Sequence, residues 1–154
     1  CQTGDTEPAG AYRIATAPCP GRPLGCVRMD ANELLTRLCQ AIDAHAWDEL
    51  APLLHEDFVC RYVHTGETFD RDSWVRLNAD YPGFEHLVID DLVACGDRAV
   101  ARCHVTARSD GEIAHFEVAT FITAADGLIT SMTEVWTDVD AVPPEGARPL
   151  SSLP

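Results

Sequence analysis

Lysine is missing from this 154-residue sequence, in which all eleven basic residues are Arg. Without lysine, the chain has neither a Schiff-base nucleophile nor the lysine that contacts phosphates in a P-loop, and it contains no GxxxxGKS/T or GxGxxG pattern. Long apolar runs are missing as well: stretches such as residues 87–89 are far shorter than the roughly 20 residues that a membrane-spanning helix needs. These absences argue against nucleotide chemistry and against a transmembrane segment.

Basic residues are also few in number. The 25 acidic residues against 11 basic ones give a net charge of -14, which opposes binding to nucleic acid and to anionic membranes. We therefore expect neither nucleic acid nor a membrane as a partner. The length and the 46% content of hydrophobic residues are typical of one globular domain.

The seven cysteines include no CxxC pair, so the sequence predicts no metal site and no redox motif of that type. Unpaired thiols inside apolar segments behave as small hydrophobic groups and favour a reducing, cytoplasmic location. Four cysteines are of this kind: Cys39, Cys60, Cys95 and Cys103. Cys19 and Cys26 leave two alternatives open, a small disulfide loop in an exported protein or two free thiols.

Residues 1–29 and 141–154 are rich in Pro, Gly and small residues. They predict an extended N-terminal arm, which contributes little to the core, and a loose C-terminal tail around one domain at 30–140. Met29 is a candidate natural start. Cys1 is compatible with a lipidated cysteine left by signal cleavage, with a tag remnant or with an upstream extension.

Three helices are predicted in the first half of the domain. Asp30 is a helix cap with Glu33 three residues on, and apolar residues follow it at spacings of three and four. A second, short helix is expected at Trp47, and a third is capped by Asp70. Residues 58–64, before the third helix, alternate like a strand.

The second half of the domain predicts β structure. Short Asp/Gly turns separate the β segments and join antiparallel neighbours. The expected strands are 84–94, 98–108, 112–123 and 128–138. Helices followed by a meander of strands indicate an α+β layer architecture.

Three segments carry a family resemblance: Asp43–Asp48, Gly66–Asp72 and Asp126–Trp136. In this order of elements they resemble the NTF2-like superfamily, and within it the SnoaL-like polyketide cyclases and the ketosteroid isomerases. The resemblance covers residues 30–140 and implies an NTF2-like cone in which three N-terminal helices pack on a curved antiparallel sheet. It also implies a cavity for a small apolar molecule and a homodimer formed through the sheet.

Ketosteroid isomerases carry a tyrosine on the first helix, a base aspartate on the first strand and a protonated aspartate on the penultimate strand. The matching positions here hold Leu38, Tyr62 and Thr120, or Ala119 if a loop differs by one residue. None of them carries the group that the family uses. Steroid isomerisation by that mechanism is therefore not expected.

Limonene epoxide hydrolase, a relative on the same fold, uses Tyr-x-Asn, Arg-x-Asp and an Asp on the last strand. The sequence resembles this pattern with Tyr62-x-His64, Arg102-x-His104 and Glu134. A spacing of two places both members of each pair on one face of a strand. Imidazoles stand where that enzyme has an amide and a carboxylate.

The sequence leaves open which face of strand 98–108 lines the cavity. Its binary pattern sends Arg102 and His104 to solvent. The resemblance instead sends both into the cavity and leaves the small apolar face to a dimer interface. That face consists of Ala99, Ala101, Cys103, Val105 and Ala107.

Glu134 lies between Met132 and Trp136 on a bulky apolar face, where a solvated acid would be out of place. We therefore expect it to be a cavity carboxylate. Tyr62 has two interpretations, a hydrogen-bond donor in the cavity or a core aromatic residue whose hydroxyl reaches the rim.

The predicted function is cofactor-free acid/base chemistry on a small, apolar natural-product intermediate, by cyclisation, isomerisation or epoxide opening. In this hypothesis Glu134 is the base, and His104 is the acid or the oxyanion donor. Arg102 orients the substrate by its charge, and Tyr62 donates to a substrate oxygen. Substrate contacts are expected from His64, Trp74, Phe116, Thr120, Met132 and Trp136. The alternative is a non-catalytic module that binds a small molecule or dimerises.

Overall fold

The computed structural model describes residues 29–142 and 144–145. Its first helix, α1, spans Ala31–Asp43 and begins after the cap Asp30. The Asp30 side chain accepts a hydrogen bond from the backbone N–H of Glu33, and the Glu33 side chain accepts one from the backbone N–H of Asp30. This reciprocal capping, which the sequence predicted, satisfies donors that the first helical turn leaves unpaired.

Two 3-10 turns, Trp47–Glu49 and Ala51–Leu53, follow α1, and the second helix, α2, spans Arg71–Ala79. The short helix expected at Trp47 is therefore present as two 3-10 turns, and Pro52 has no backbone N–H with which to continue a longer helix. Helix α2 begins after the predicted cap Asp70. It follows the first two strands, of which the sequence predicted one, so the arrangement of three N-terminal helices is not confirmed.

Six strands form one sheet in the described part of the chain: β1 Leu54–Tyr62, β2 Thr68–Asp70, β3 Phe84–Cys95, β4 Arg98–Ser109, β5 Glu112–Ala125 and β6 Leu128–Asp138. Their order in the sheet is β2-β1-β6-β5-β4-β3. Neighbours are antiparallel except β1 and β6, which run parallel. The sheet is therefore mixed, and the expectation of a fully antiparallel sheet is wrong for this pair.

The four long predicted strands agree with β3 to β6, whose ends differ from the expected ones by at most two residues. Strand β1 begins four residues earlier than expected, and β2 was not predicted at all. Three residues are too few for an alternating pattern to show in a sequence. The α+β architecture is nevertheless the predicted one.

Helix α1 packs on the inner face of the sheet, where Leu35 and Leu38 are buried. Opposite the helix, β4 presents small side chains, of which Ala101 and Cys103 are fully buried. Small residues allow a close approach, and the Sγ atoms of Cys39 and Cys103 lie 3.9 Å apart. This contact therefore joins α1 to β4 within the core.

The small apolar face of β4 belongs to the protomer's own core, which corrects the alternative that it forms a dimer interface. All five of its residues are buried: Ala99, Ala101, Cys103, Val105 and Ala107. The outer face of the sheet instead exposes large apolar side chains, among them Val88, Val93 and Phe121. A homodimer stays a prediction, now through that outer face.

Residues 29–142 contain no helix that is both long and apolar enough to cross a membrane. Residues 1–28 of the predicted N-terminal arm, which include Cys1, Cys19 and Cys26, lie outside the described residues, as does most of the predicted C-terminal tail.

Gly83 connects α2 to β3 in the left-handed region, with a φ of 72°. The backbone N–H of Arg108 donates to the Gly83 carbonyl at 2.6 Å, and a Cβ at position 83 would overlap the carbonyl oxygen of Arg108. Gly83→Ala should therefore lower the free energy of unfolding, measured in urea, by about 3 kcal/mol, the sum of overlap and positive-φ strain.

Gly96→Ala is the matched control for this prediction. Gly96 also has a positive φ, of 62°, but a Cβ there meets no atom within 4 Å. Gly96→Ala should lower the free energy of unfolding by about 1 kcal/mol, from backbone strain alone. Equal losses in the two variants would contradict the contact between Gly83 and Arg108.

A homodimer through the outer face should appear in multi-angle light scattering at micromolar concentration as twice the protomer mass. Phe121→Glu should shift the protein to a monomer, because it places a charge among the exposed apolar side chains of that face. A wild-type protein that stays monomeric would contradict the dimer.

Candidate active site

A cavity of about 530 Å³ lies between α1, the turn at Trp47, α2 and the inner face of the sheet. Its volume falls in the range of roughly 300–1,000 Å³ that small-molecule sites occupy. Much of the wall is aliphatic: Leu38, Ile42, Leu77, Leu87, Val105, Ala107 and Val118. Exposed lining residues mark the rim, where the cavity meets solvent: His64, Glu67, Tyr81, Thr137 and Asp138.

Glu134, on β6, is the buried acid of this wall, with 5% of its surface exposed. The indole Nε1–H of Trp136 donates a hydrogen bond to Glu134 Oε2 at 2.8 Å. Removal of water from around the carboxyl group raises the pKa of Glu134 to about 7, and hydrogen bonding by Trp136 and Tyr62 acts in the opposite direction. At neutral pH the group therefore exists both as acid and as carboxylate, as general acid/base catalysis requires.

Tyr62 reaches the cavity from β1, where it is the register partner of Glu134. Burial, and next the charge of Glu134, raise the pKa of Tyr62, so its hydroxyl stays protonated and available as a donor. The Tyr62 ring lies 5.0 Å from the ring of Phe69 and 6.4 Å from that of Trp136, between centroids. These three rings, here called the aromatic cluster, form the cavity wall beside Glu134.

Trp74, on α2, is buried in the core and not in the cavity wall, which corrects its expected contact with substrate. Its ring packs on Phe58 at 5.8 Å. The Trp74 indole N–H has no hydrogen-bond partner among the described residues. It lies near enough to the Tyr62 hydroxyl to oppose part of the rise in the pKa of Tyr62.

Arg102 and His104 lie on the outer face of β4, which corrects the hypothesis that they join the buried acid in the cavity. Arg102 Nη1 is 2.8 Å from Asp90 Oδ2 and 3.0 Å from Glu117 Oε2. His104 Nδ1 is 3.0 Å from Glu117 Oε1, and His104 Nε2 is 3.0 Å from His115 Nδ1. The inner side of β4 is filled by its small apolar residues, so alternation along the strand leaves these polar groups outside.

Four of the six expected substrate contacts line the cavity: His64, Phe116, Thr120 and Trp136. Met132, like Trp74, is a core residue, with 2% of its surface exposed, and does not belong to the wall. Of the pattern shared with limonene epoxide hydrolase, only Tyr62, His64 and Glu134 therefore face the cavity. The structure does not assemble the Arg-containing part of that site.

Leu38 lines the cavity at the position that matches the tyrosine of the isomerases, but sequence reasoning missed two further α1 residues of the wall, Cys39 and Ile42. Their helical spacing predicts a buried face, but that spacing is the same for a core and for a cavity wall. It also missed the rim acids Glu67 and Asp138, which lie at strand ends and follow no pattern.

A family model described as the SnoaL-like domain matches residues 35–132. No curated protein matched the sequence. Among solved structures, a candidate ketosteroid isomerase from Kribbella flavida DSM 17836 is 26% identical, with a TM-score of 0.67 over 80% of this chain and 90% of that chain.

Two further structures have the same fold at lower identity. A candidate SnoaL-like polyketide cyclase from Jannaschia Sp. CCS1 is 18% identical, with a TM-score of 0.62 over 75% of this chain and 91% of that chain. An LEH-like epoxide hydrolase from M. tuberculosis is also 18% identical, with a TM-score of 0.61 over 70% of this chain and 82% of that chain. Because the family model covers more than half of the sequence, the chain belongs to the SnoaL-like domain family, within the NTF2-like superfamily.

Proposed function

We propose that this chain is a cofactor-free acid/base enzyme that acts as a cyclase or an isomerase on a small, largely apolar natural-product intermediate held in the cavity. The observation that carries the proposal is the buried carboxyl group of Glu134, whose pKa of about 7 suits proton transfer at neutral pH. Burying an acid destabilises a fold, so packing alone gives no reason for its position.

The proposed reaction begins with Glu134 as a carboxylate. It removes a proton from a carbon beside a substrate carbonyl, and the electron pair of the broken C–H bond moves onto the carbonyl oxygen. The Tyr62 hydroxyl, which hydrogen bonds to Glu134 in the free protein, donates to this oxygen instead and stabilises the enolate. The hydrogen bond from Trp136 holds the carboxyl group in place throughout.

Protonated Glu134 then returns the proton. In an isomerisation the proton goes to a different carbon of the enolate. In an aldol-type cyclisation the enolate carbon attacks a second carbonyl of the same molecule, and the proton goes to the alkoxide that forms. Neither series of steps needs a metal or a redox cofactor. The apolar wall keeps water from competing for the enolate.

Two other functions are less well supported by the site. Epoxide hydrolysis of the limonene-epoxide type relies on an arginine beside the acid, and Arg102 is engaged with Asp90 and Glu117 on the outer face. A non-catalytic binding module is favoured by that same outward placement, but not by a cavity that carries a buried acid with a shifted pKa.

A cytoplasmic location is also proposed. Three free thiols are buried in the core, at Cys39, Cys60 and Cys103, and this use of cysteine is typical of proteins in a reducing compartment.

Deprotonation of 5-nitrobenzisoxazole tests the base without knowledge of the natural substrate, because loss of its C–H proton opens the ring to a coloured phenolate. The wild type should accelerate this reaction, and Glu134→Gln should lower kcat/KM about a hundredfold, because it keeps the shape and removes the base. The rate should rise with pH through about 7 and then level off, since only the carboxylate accepts a proton.

Glu117→Gln is the matched control, since it makes the same change in the ion-paired group on the outer face. Its kcat/KM should equal that of the wild type. Equal rates for the wild type and Glu134→Gln would overturn the catalytic proposal and leave the binding module.

Glu134 should also make the stability of the protein depend on pH. Its pKa is about 7 in the folded protein and 4.5 ordinarily, so the folded state holds the proton more tightly. Stability should therefore fall as pH rises from 4.5 to 7 and level off above, by a total of about 3 kcal/mol. Urea unfolding at several pH values should show this loss in the wild type relative to Glu134→Gln; a pH-independent difference would contradict the shifted pKa.

A further inference from the structure

The charged side chains of the cavity wall are predominantly carboxylates. Glu134 lies inside, Glu67 and Asp138 lie at the rim, and none of the arginines that the structure describes contributes to the wall. His64 is the remaining titratable base in contact with the cavity. An anionic ligand would find repulsion here and no guanidinium to pair with, whereas a cation would find several partners.

The aromatic cluster lines the same cavity as the buried acid and the rim acids. The backbone N–H of Tyr62 donates to the carbonyl of Glu67 at 3.0 Å, which places Glu67 beside one member of the cluster. Asp138 is two residues from Trp136 on β6, on the same face of the strand, and both line the cavity. The faces of aromatic rings carry negative charge density and attract cations.

We propose that the cavity selects ligands that combine an apolar body with a positively charged amine, and that it discriminates against carboxylates of the same size. The body occupies the aliphatic part of the wall next to α1. The ammonium group lies at the rim between the aromatic cluster and the acids Glu67 and Asp138, where it keeps contact with water. This inference concerns the substrate class of the proposed enzyme, and it uses the same cavity.

Three probes of one shape test the charge preference: 4-phenylbutyltrimethylammonium, its neutral analogue with carbon in place of nitrogen, and 5-phenylpentanoate. Calorimetry at about 0.15 M salt measures binding while screening the distant charges of this acidic protein. The cation should bind at least about tenfold more tightly than the neutral probe and about a hundredfold more tightly than the carboxylate. A carboxylate that binds as tightly as the cation, or a cation that does not bind at about 1 mM, would overturn the proposal.

The double variant Glu67→Gln/Asp138→Asn tests whether the two rim acids cause the preference for the cation. It should reduce the ratio of cation to carboxylate affinity about tenfold. Glu56→Gln/Asp97→Asn is the matched control, because it removes the same two charges from exposed positions that do not line the cavity. Equal effects of the two double variants would show that only the net charge matters and would refute a rim site.

The binding measurements and the catalytic test can contradict their two proposals independently of each other. If Glu134→Gln leaves the benzisoxazole reaction unchanged while the cation preference persists, the cavity is an amine-binding site and the proposed catalysis is wrong. If Glu134→Gln abolishes the reaction while carboxylates bind equally well, the catalysis stands and the substrate class is wrong.

Discussion

The packing of α1 on the inner face of the sheet forms the core and one wall of the cavity. Because Ala101 and Cys103 are small and fully buried, the helix approaches the sheet closely, as the 3.9 Å separation of Cys39 and Cys103 Sγ shows. Larger residues at these positions would push the helix outward, since overpacking in a core forces the backbone to shift. The same helix face then continues past this contact, where Leu38 and Ile42 become cavity wall.

Sequence patterns predicted the elements whose signals are local. The cap at Asp30, the cap at Asp70 and the Asp/Gly turns between β3 and β6 each act within a few residues, and each lies where it was expected. The parallel pairing of β1 with β6 joins residues far apart in the sequence, such as Tyr62 and Glu134, and nothing local in either strand specifies a parallel neighbour. That pairing creates the candidate site, because it brings the acid beside the tyrosine.

Arg102 on β4 and Glu134 on β6 lie on opposite faces of the sheet, and the neighbouring residues of each strand explain the difference. On β4, one face is small and apolar and the other is charged, so the binary pattern that sends Arg102 outward agrees with the structure. On β6, the residues alternating with Glu134 are Thr133 and Val135, which carry no charge. Polarity therefore does not indicate which face of β6 points inward. The large apolar side chains of Met132 and Trp136 indicate that their face does. The family resemblance was informative for β6 and misleading for β4.

Glu134 shows how the fold ties stability to chemistry. Arg102 pairs with Asp90 and Glu117 at a surface that water also reaches, so its charge is matched by two carboxylates. Glu134 has no basic partner in the described part of the chain, so burial raises its pKa to about 7, and the hydrogen bond from the Trp136 indole limits that rise. The shift that makes the carboxylate a base suited to neutral pH is the same shift that destabilises the folded protein above that pH. An arginine in the wall would lower the pKa of Glu134 and so remove this loss of stability. It would also make the carboxylate too weak a base at neutral pH. The absence of a guanidinium from the described wall is therefore a condition of the proposed chemistry.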